Sequence, residues 1–465
     1  KRKLTGGLTM IFSSAEFIFL FLPGTLLLYY SPLFRGRRAR NVLLVLVSLF
    51  FYAWGEPVRV LLLLGSIAFN WLLGRWAEPG RRHPRAALAA AAAGNLAVLF
   101  VFKYLGFLCE NLGLLGLPVP EVDISLPVGI SFYTFQALSY VIDVYRGRSP
   151  AQKNILDVGL YIAFFPQLIA GPIVRYETVA REIHHRRECW ADFSGGVPRF
   201  IVGLGKKAIL ANTLAIAADA AFRSESLSAP MAWLGAVSYA LQIYFDFSGY
   251  SDMAIGMGRM FGFHFLENFD KPYRASSVTD FWRRWHISLS SWFRDYVYIP
   301  LGGNRVSHRR HLCNLFAVWM LAGIWHGANW TFLLWGLGYF LLLMAEKYGQ
   351  LDRRLGIWSR PWTLLWVLLL WVVFRADNLG HAGRYFSAMF TGGRGNCDDF
   401  LYYFGNLKAY LGIAMVCCLP VERAWERIPE RVRGWLACGG EIALLLLVLT
   451  YVASSTYNPF IYFNF

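Results

Sequence analysis

Apolar residues in this chain fall in long blocks, and short clusters of arginine and lysine separate them. Blocks near 16–34, 41–54, 59–76 and 86–108 are divided by "RGRRAR" (35–40) and "RRHPR" (81–85). Others follow near 127–145, 199–222, 231–258, 312–330, 331–347, 362–374, 407–420 and 441–453. A bilayer-crossing helix takes about 20 mostly apolar residues, so the pattern predicts an all-α polytopic membrane protein with about 11–12 transmembrane helices. Basic loops gather on the cytoplasmic side, which places both arginine clusters inside and the N-terminus outside. No small-residue cleavage site follows the first block, which therefore reads as a retained span and not a signal peptide.

Two stretches depart from simple crossing. Residues 155–170, "ILDVGLYIAFFPQLIA", are apolar, yet the basic "VRYETVAREIHHRRE" behind them belongs on the cytoplasmic side. "FFPQ" and "AGP" supply helix breakers, and irregular backbone at membrane depth needs protein or a water-filled cavity around it. A re-entrant segment that leaves 171–197 in the cytoplasm is the preferred reading. Residues 281–296, "FWRRWHISLSSWFRDY", predict an amphipathic helix lying in the cytoplasmic interface. At about 100° per residue, Phe281, Trp285, Leu289, Trp292 and Tyr296 share one face. Arg283 and Arg294 take the opposite side, and His286 the edge of the aromatic stripe.

At 56% hydrophobic and 16% charged over 465 residues, the composition excludes an ordinary soluble domain. The formal charge of +16 points to no nucleic-acid partner, because it is scattered in short clusters between apolar blocks, as the positive-inside pattern requires. Cysteines 109, 189, 313, 397, 417, 418 and 438 form no CxxC pair and no spacing with histidine, so neither a disulfide framework nor a metal site is expected. No internal repeat or soluble domain is evident. Residues 10–465 read as one membrane domain, and "KRKLTGGLT" (1–9) as an upstream or cloning-derived extension before a start at Met10.

Three polar features interrupt this apolar chain. In "GIWHGANW" (323–330), His326 follows Ala322 and Gly323 and precedes Asn329. On one continuous helix these would form a face with an imidazole, cleared space beside it and an amide within reach. Close helix packing through Gly323 and Gly327 is the plainer explanation; the cost of an ionisable group at membrane depth favours a functional one. "YFDFSGYSDMAIGMG" (244–258) sets Asp246 and Asp252 toward the cytoplasmic end of a span, where they are either solvated or paired with Lys206 and Lys207. His286, read alone, is a histidine at a membrane surface. A histidine in a water-poor cavity suits acyl transfer, since neutral imidazole can take the proton of a hydroxyl as it attacks a thioester. No Gly-x-Ser-x-Gly elbow, phosphate loop or HExxH helix competes for that role, and the chemistry needs no metal.

At these residues the chain resembles the membrane-bound O-acyltransferases, in particular the bacterial branch whose members acetylate alginate or attach D-alanine to teichoic acid. The matching stretches are "PVGISFYTFQALSYVIDVYRG" (127–147), "FFPQLIAGPIVRY" (164–176), "YFDFSGYSDMAIG" (244–256), "ENFDKPYRASSVTDFWRRWHISLSSWFRDYVYIPLGGNR" (267–305) and "GIWHGANWTFLLWG" (323–336). They run through most of the chain in family order. The resemblance implies a helical membrane fold around a central funnel or tunnel, with re-entrant and interfacial helices. It carries the family's catalytic histidine onto His326 and its second motif-borne histidine onto His286. Asn329, Asp246, Asp252 and Trp285 are the accompanying substrate-binding candidates. It further implies a multi-pass protein of the cell inner membrane that takes acetyl from acetyl-CoA or an acyl carrier protein thioester, with no bound cofactor. Periplasmic acetyltransferase proteins would be its partners, in O-acetylation of an exopolysaccharide such as alginate. D-Alanyl, peptidoglycan or cellulose acyl transfer by the same fold is the alternative. A secondary transporter is the rival from another class, although no matched repeat of "GIWHG" or "FDFSGYSD" supports it; a lipid-binding scaffold explains the histidines least.

Overall fold

The computed structural model describes residues 10–169, 171–393, 395–421 and 425–454; the expected leading extension, 1–9, lies outside them. The described residues form helices and turns, with no strand beyond a single antiparallel bridge between Ser228 and Gly393. Six helices among them are long and apolar enough to cross a bilayer: 60–77, 84–103, 190–223, 351–375, 398–417 and 430–454. That is fewer than the expected eleven or twelve, for a physical reason. Arg37–Gly55 opens on Arg-Arg-Ala-Arg, His308–His326 opens on His-Arg-Arg-His, and Trp330–Gly349 closes on Glu-Lys-Tyr-Gly, so charge dilutes each apolar stretch. The chain divides into two compact units. One comprises 1–200 with 250–266, the other 201–249 with 267–465.

In the first unit, the segment expected to be re-entrant is a nine-residue helix, Ile155–Ala163, broken at Phe164 and followed by the short turn of helix Phe165–Leu168. Nine residues rise only about 14 Å, less than half of the roughly 30 Å hydrocarbon core. The segment is buried nearly throughout, among the rings of Phe17, Phe51 and Phe261 around Phe165. A second knot forms where Arg186, itself buried, donates to Tyr29 and to the Asn41 side chain (2.6 Å). Beside it, Glu188 accepts from Arg37 and Tyr29 and lies 3.1 Å from Arg40. Burial works to raise the Glu188 carboxyl, yet the bonds from Arg37 and Tyr29 hold it at about 2.

The second unit has a contiguous apolar core drawn from helices 212–223, 229–260, 330–349 and 359–375, with Trp285, Trp335 and Trp371 among its largest buried side chains. A turn of π-helix at Lys206–Ala211 interrupts the long helix that ends at Arg223. Lys207 within it is buried, its ammonium 2.7 Å from the carboxylate of Asp246. Gly249 allows the two helices to meet: a Cβ there would lie 2.7 Å from the Gly203 carbonyl.

Candidate active site

His326 is the last residue of helix His308–His326, not a residue in mid-helix. The chain turns through Gly327, and Asn329 starts the next helix, Trp330–Gly349, its side-chain oxygen accepting from the Thr331 N–H at 3.1 Å. Its amide nitrogen donates to the Asp377 carbonyl at 2.7 Å. The expected single face carrying His326 and Asn329 together is therefore corrected: Gly-Ala-Asn is a turn with an N-cap, the commonest use of asparagine at that place. Gly323 does not leave open space either. A Cβ there would fall 2.5 Å from the Phe332 carbonyl, and one on Gly336 would fall 2.5 Å from that of Trp319. These glycines bring the two helices of the hairpin into backbone contact, the close packing that small residues permit.

Aromatic rings flank the imidazole. Trp325, Trp335 and Phe374 each place a ring centroid 5.0 Å from that of His326, and Phe332 lies at 6.4 Å. His326 is buried, with 5% of its surface exposed.

His286 also departs from expectation. The predicted continuous helix over 281–296 is two short helices, Val278–Arg284 and Ile287–Phe293, with a π-helical turn after them. His286 lies at the break with left-handed backbone angles, φ 44° and ψ 54°. Segment 268–270 supplies the hydrogen bonds that the helix gives up. Ile287 N–H donates to the Asn268 carbonyl (2.9 Å), and Asp270 N–H to the Arg284 carbonyl (2.9 Å). The Asn268 side-chain oxygen accepts from Ser288 N–H and Oγ–H and stands 3.2 Å from His286 Nδ1. Upstream, Ser277 caps Val278–Arg284 through the Asp280 N–H, and the buried Glu346 carboxylate accepts from the Val278 and Thr279 N–H groups. The aromatic stripe itself is as predicted, with Phe281, Trp285, Leu289, Trp292 and Tyr296 buried and Arg283 and Arg294 exposed, but protein and not lipid headgroups covers it.

His286 is 1% exposed, with the Phe247 ring 4.6 Å away. Burial pushes its imidazole down to about 3, so it is neutral at pH 7. Because the folded value lies below the ordinary one near 6.5, the unfolded chain binds more protons between the two. This residue's effect on stability is flat above about pH 6.5 and turns destabilising as pH falls from there toward 3. Thermal unfolding in detergent at pH 7.5 and pH 5 should show wild type losing more stability than His286→Asn. An equal loss in both would mean that His286 does not titrate as a buried group.

The two histidines meet one indole in common: Trp325 lies 6.1 Å from the His286 ring and 5.0 Å from that of His326. Trp285 joins the same cluster by way of Trp371, 4.9 Å away, which touches Phe374 at 5.3 Å. Asp246 is taken up by Lys207, as the sequence allowed. Asp252, in the first unit, pairs instead with Arg199 through two contacts of 2.6 and 2.7 Å. The sequence reading had no signal for Trp335, Trp371 or Phe374, which look like ordinary apolar-run residues. Trp282 and Trp335 each bury an indole N–H, and Tyr339 a hydroxyl, with no hydrogen-bond partner among the described residues. A buried donor left so costs about 1–3 kcal/mol.

The membrane-bound O-acyltransferase family profile matches residues 148–351, a span that contains both histidines. The Pseudomonas putida "probable alginate O-acetylase" is 40% identical over 98% of this chain and its own full length. The chain belongs to the membrane-bound O-acyltransferase family. Its resemblance to this family, read from the motifs, thus holds, and it replaces the transporter and scaffold readings. As an O-acyltransferase it is a membrane enzyme that requires an acyl donor. Other relatives are the Helicobacter pylori peptidoglycan O-acetyltransferase, 33% identical over 98% of both chains, and the Bacillus subtilis teichoic acid D-alanyltransferase. The latter is 28% identical over 52% of this chain and 65% of its own.

Proposed function

We propose that this acyltransferase takes acetyl from a cytoplasmic thioester, acetyl-CoA or an acetylated acyl carrier protein, and passes it across the inner membrane for O-acetylation of an exopolysaccharide, alginate or a similar polymer. Periplasmic acetyltransferase proteins would complete the delivery. The polymer reading rests on the full-length likeness to the Pseudomonas putida protein. The observation that carries the mechanism is a buried histidine, His326, enclosed by aromatic rings at the tip of a helix hairpin. Here His326 is the general base: it takes the acceptor hydroxyl's proton as the oxygen attacks the thioester carbonyl carbon. The C–S bond then breaks, and the departing sulfur takes that proton to leave as thiol. Aromatic walls exclude the water that would hydrolyse the donor. His286, buried and neutral one indole away, is a positioning residue for this wall.

The test uses inner-membrane vesicles that expose the cytoplasmic face and carry the polysaccharide system. Given radiolabelled acetyl-CoA, or the acetylated carrier protein, they should release thiol in proportion to the amount of this protein and move label into polymer. D-Alanyl thioesters should not substitute. Vesicles that acetylate polymer equally well without this chain would falsify the reading.

A further inference from the structure

The aromatic cage around His326 holds more chemistry than a general base uses. Trp335 is 1% exposed, its ring is 5.0 Å from the imidazole, and its indole N–H has no hydrogen-bond partner among the described residues. An indole N–H can only donate, and it neither accepts a proton nor loses one near neutrality. Such a donor is suited to a carbonyl oxygen that gains negative charge as its carbon is attacked. Trp282 and Tyr339, whose polar atoms are likewise unpaired, stand one ring farther out, at 5.6 and 5.1 Å from Trp335. On the other side, Phe374 packs against both Trp335 (5.3 Å) and Phe332 (4.9 Å).

We propose that the donor's acyl group binds in this cage, with its carbonyl oxygen accepting from the Trp335 indole N–H and the Phe374 ring limiting the acyl chain to about two carbons. The inference rests on His326 as the base. In the transfer, the acceptor oxygen bonds to the carbonyl carbon, the C–S bond breaks, the hydroxyl proton passes by way of His326 to the leaving sulfur, and Trp335 keeps its own proton throughout. On this proposal, each methylene beyond the acetyl methyl meets the Phe374 ring, which is packed against Phe332 and Trp335.

Two variants with separate readouts test it. Trp335→Phe keeps an aromatic ring and removes the N–H. It should lower kcat for acetyl transfer about 10- to 100-fold while KM for acetyl-CoA and the thermal midpoint change little. Should that variant fold poorly, benzothienylalanine at 335, which replaces only the N–H by sulfur, should show the same fall. Wild-type kcat in either would overturn the role given to Trp335. Phe374→Ala should raise hexanoyl over acetyl transfer at least about tenfold relative to wild type, in line with what a few methylenes contribute to discrimination. An unchanged ratio would mean that the acyl chain lies elsewhere. His326→Gln separates this inference from the one beneath it: an active glutamine variant removes the base, whereas the shift in acyl preference reports on the cage alone.

Discussion

His326→Gln is expected to reach the membrane at wild-type level and to transfer acetyl about 10²–10⁴-fold more slowly, the usual contribution of a positioned general base. Glutamine is close to histidine in size and keeps hydrogen-bonding capacity, so the contacts with Trp335 and Phe374 have a substitute, but it accepts no proton at neutral pH. His326→Ala should be at least as slow and should also lose packing, because it empties space between rings 5.0 Å on three sides. Thiol release from acetyl-CoA and label in the polymer are the measurements, with membrane content of the protein as control. A glutamine variant that acetylates normally would reduce the imidazole to a packing group.

Removing one half of the Lys207–Asp246 pair should unfold the second unit more readily than any surface change. The two charged groups are 2.7 Å apart with at most 2% of either side chain exposed, and an uncompensated buried charge costs about 3–5 kcal/mol. Lys207→Met alone and Asp246→Asn alone should each lower the thermal midpoint in detergent by several degrees. Lys207→Met with Asp246→Leu should recover most of that loss, because a well-packed apolar pair can match a buried ion pair. If the double variant unfolds no later than the singles, the two residues do not act as one unit. The pair also bears on substrate binding, since an aspartate already neutralised within the fold has little charge to offer a ligand.

The helical class, the membrane setting and the positions of both histidines were legible because each rests on a strong local signal. Long apolar blocks mark helices, and basic clusters mark their ends. What misled was continuity. Residues 281–296 have an amphipathic period throughout, yet the helix breaks at Trp285–His286, because Asn268 and Asp270 offer the backbone alternative partners from well upstream. No helical period in 281–296 records a hydrogen bond that comes from outside it. The same holds at Asn329: hydropathy carries the span 312–330 through it, whereas the helix ends at His326 and Asn329 caps the next one. Pairing of Asp252 with Arg199 instead of a lysine, and the enclosure of His326 by Phe374, depend on contacts between distant helices that hydropathy does not encode.

The close-packed hairpin of 308–326 and 330–349 has a consequence for how the protein is assembled. His326 finds Trp325, Phe332 and Trp335 within that hairpin, and Phe374 on a helix soon after it, so its surroundings can form from neighbours as they leave the ribosome. Contacts between near neighbours in sequence cost little loop-closure entropy and form early. His286 draws on Phe247 and Asn268 from before it and Trp325 from after it, so its setting waits for the hairpin to arrive. The ring contacts of His326 can therefore close as a local event, whereas the contact of His286 with Trp325 forms only once that hairpin has docked.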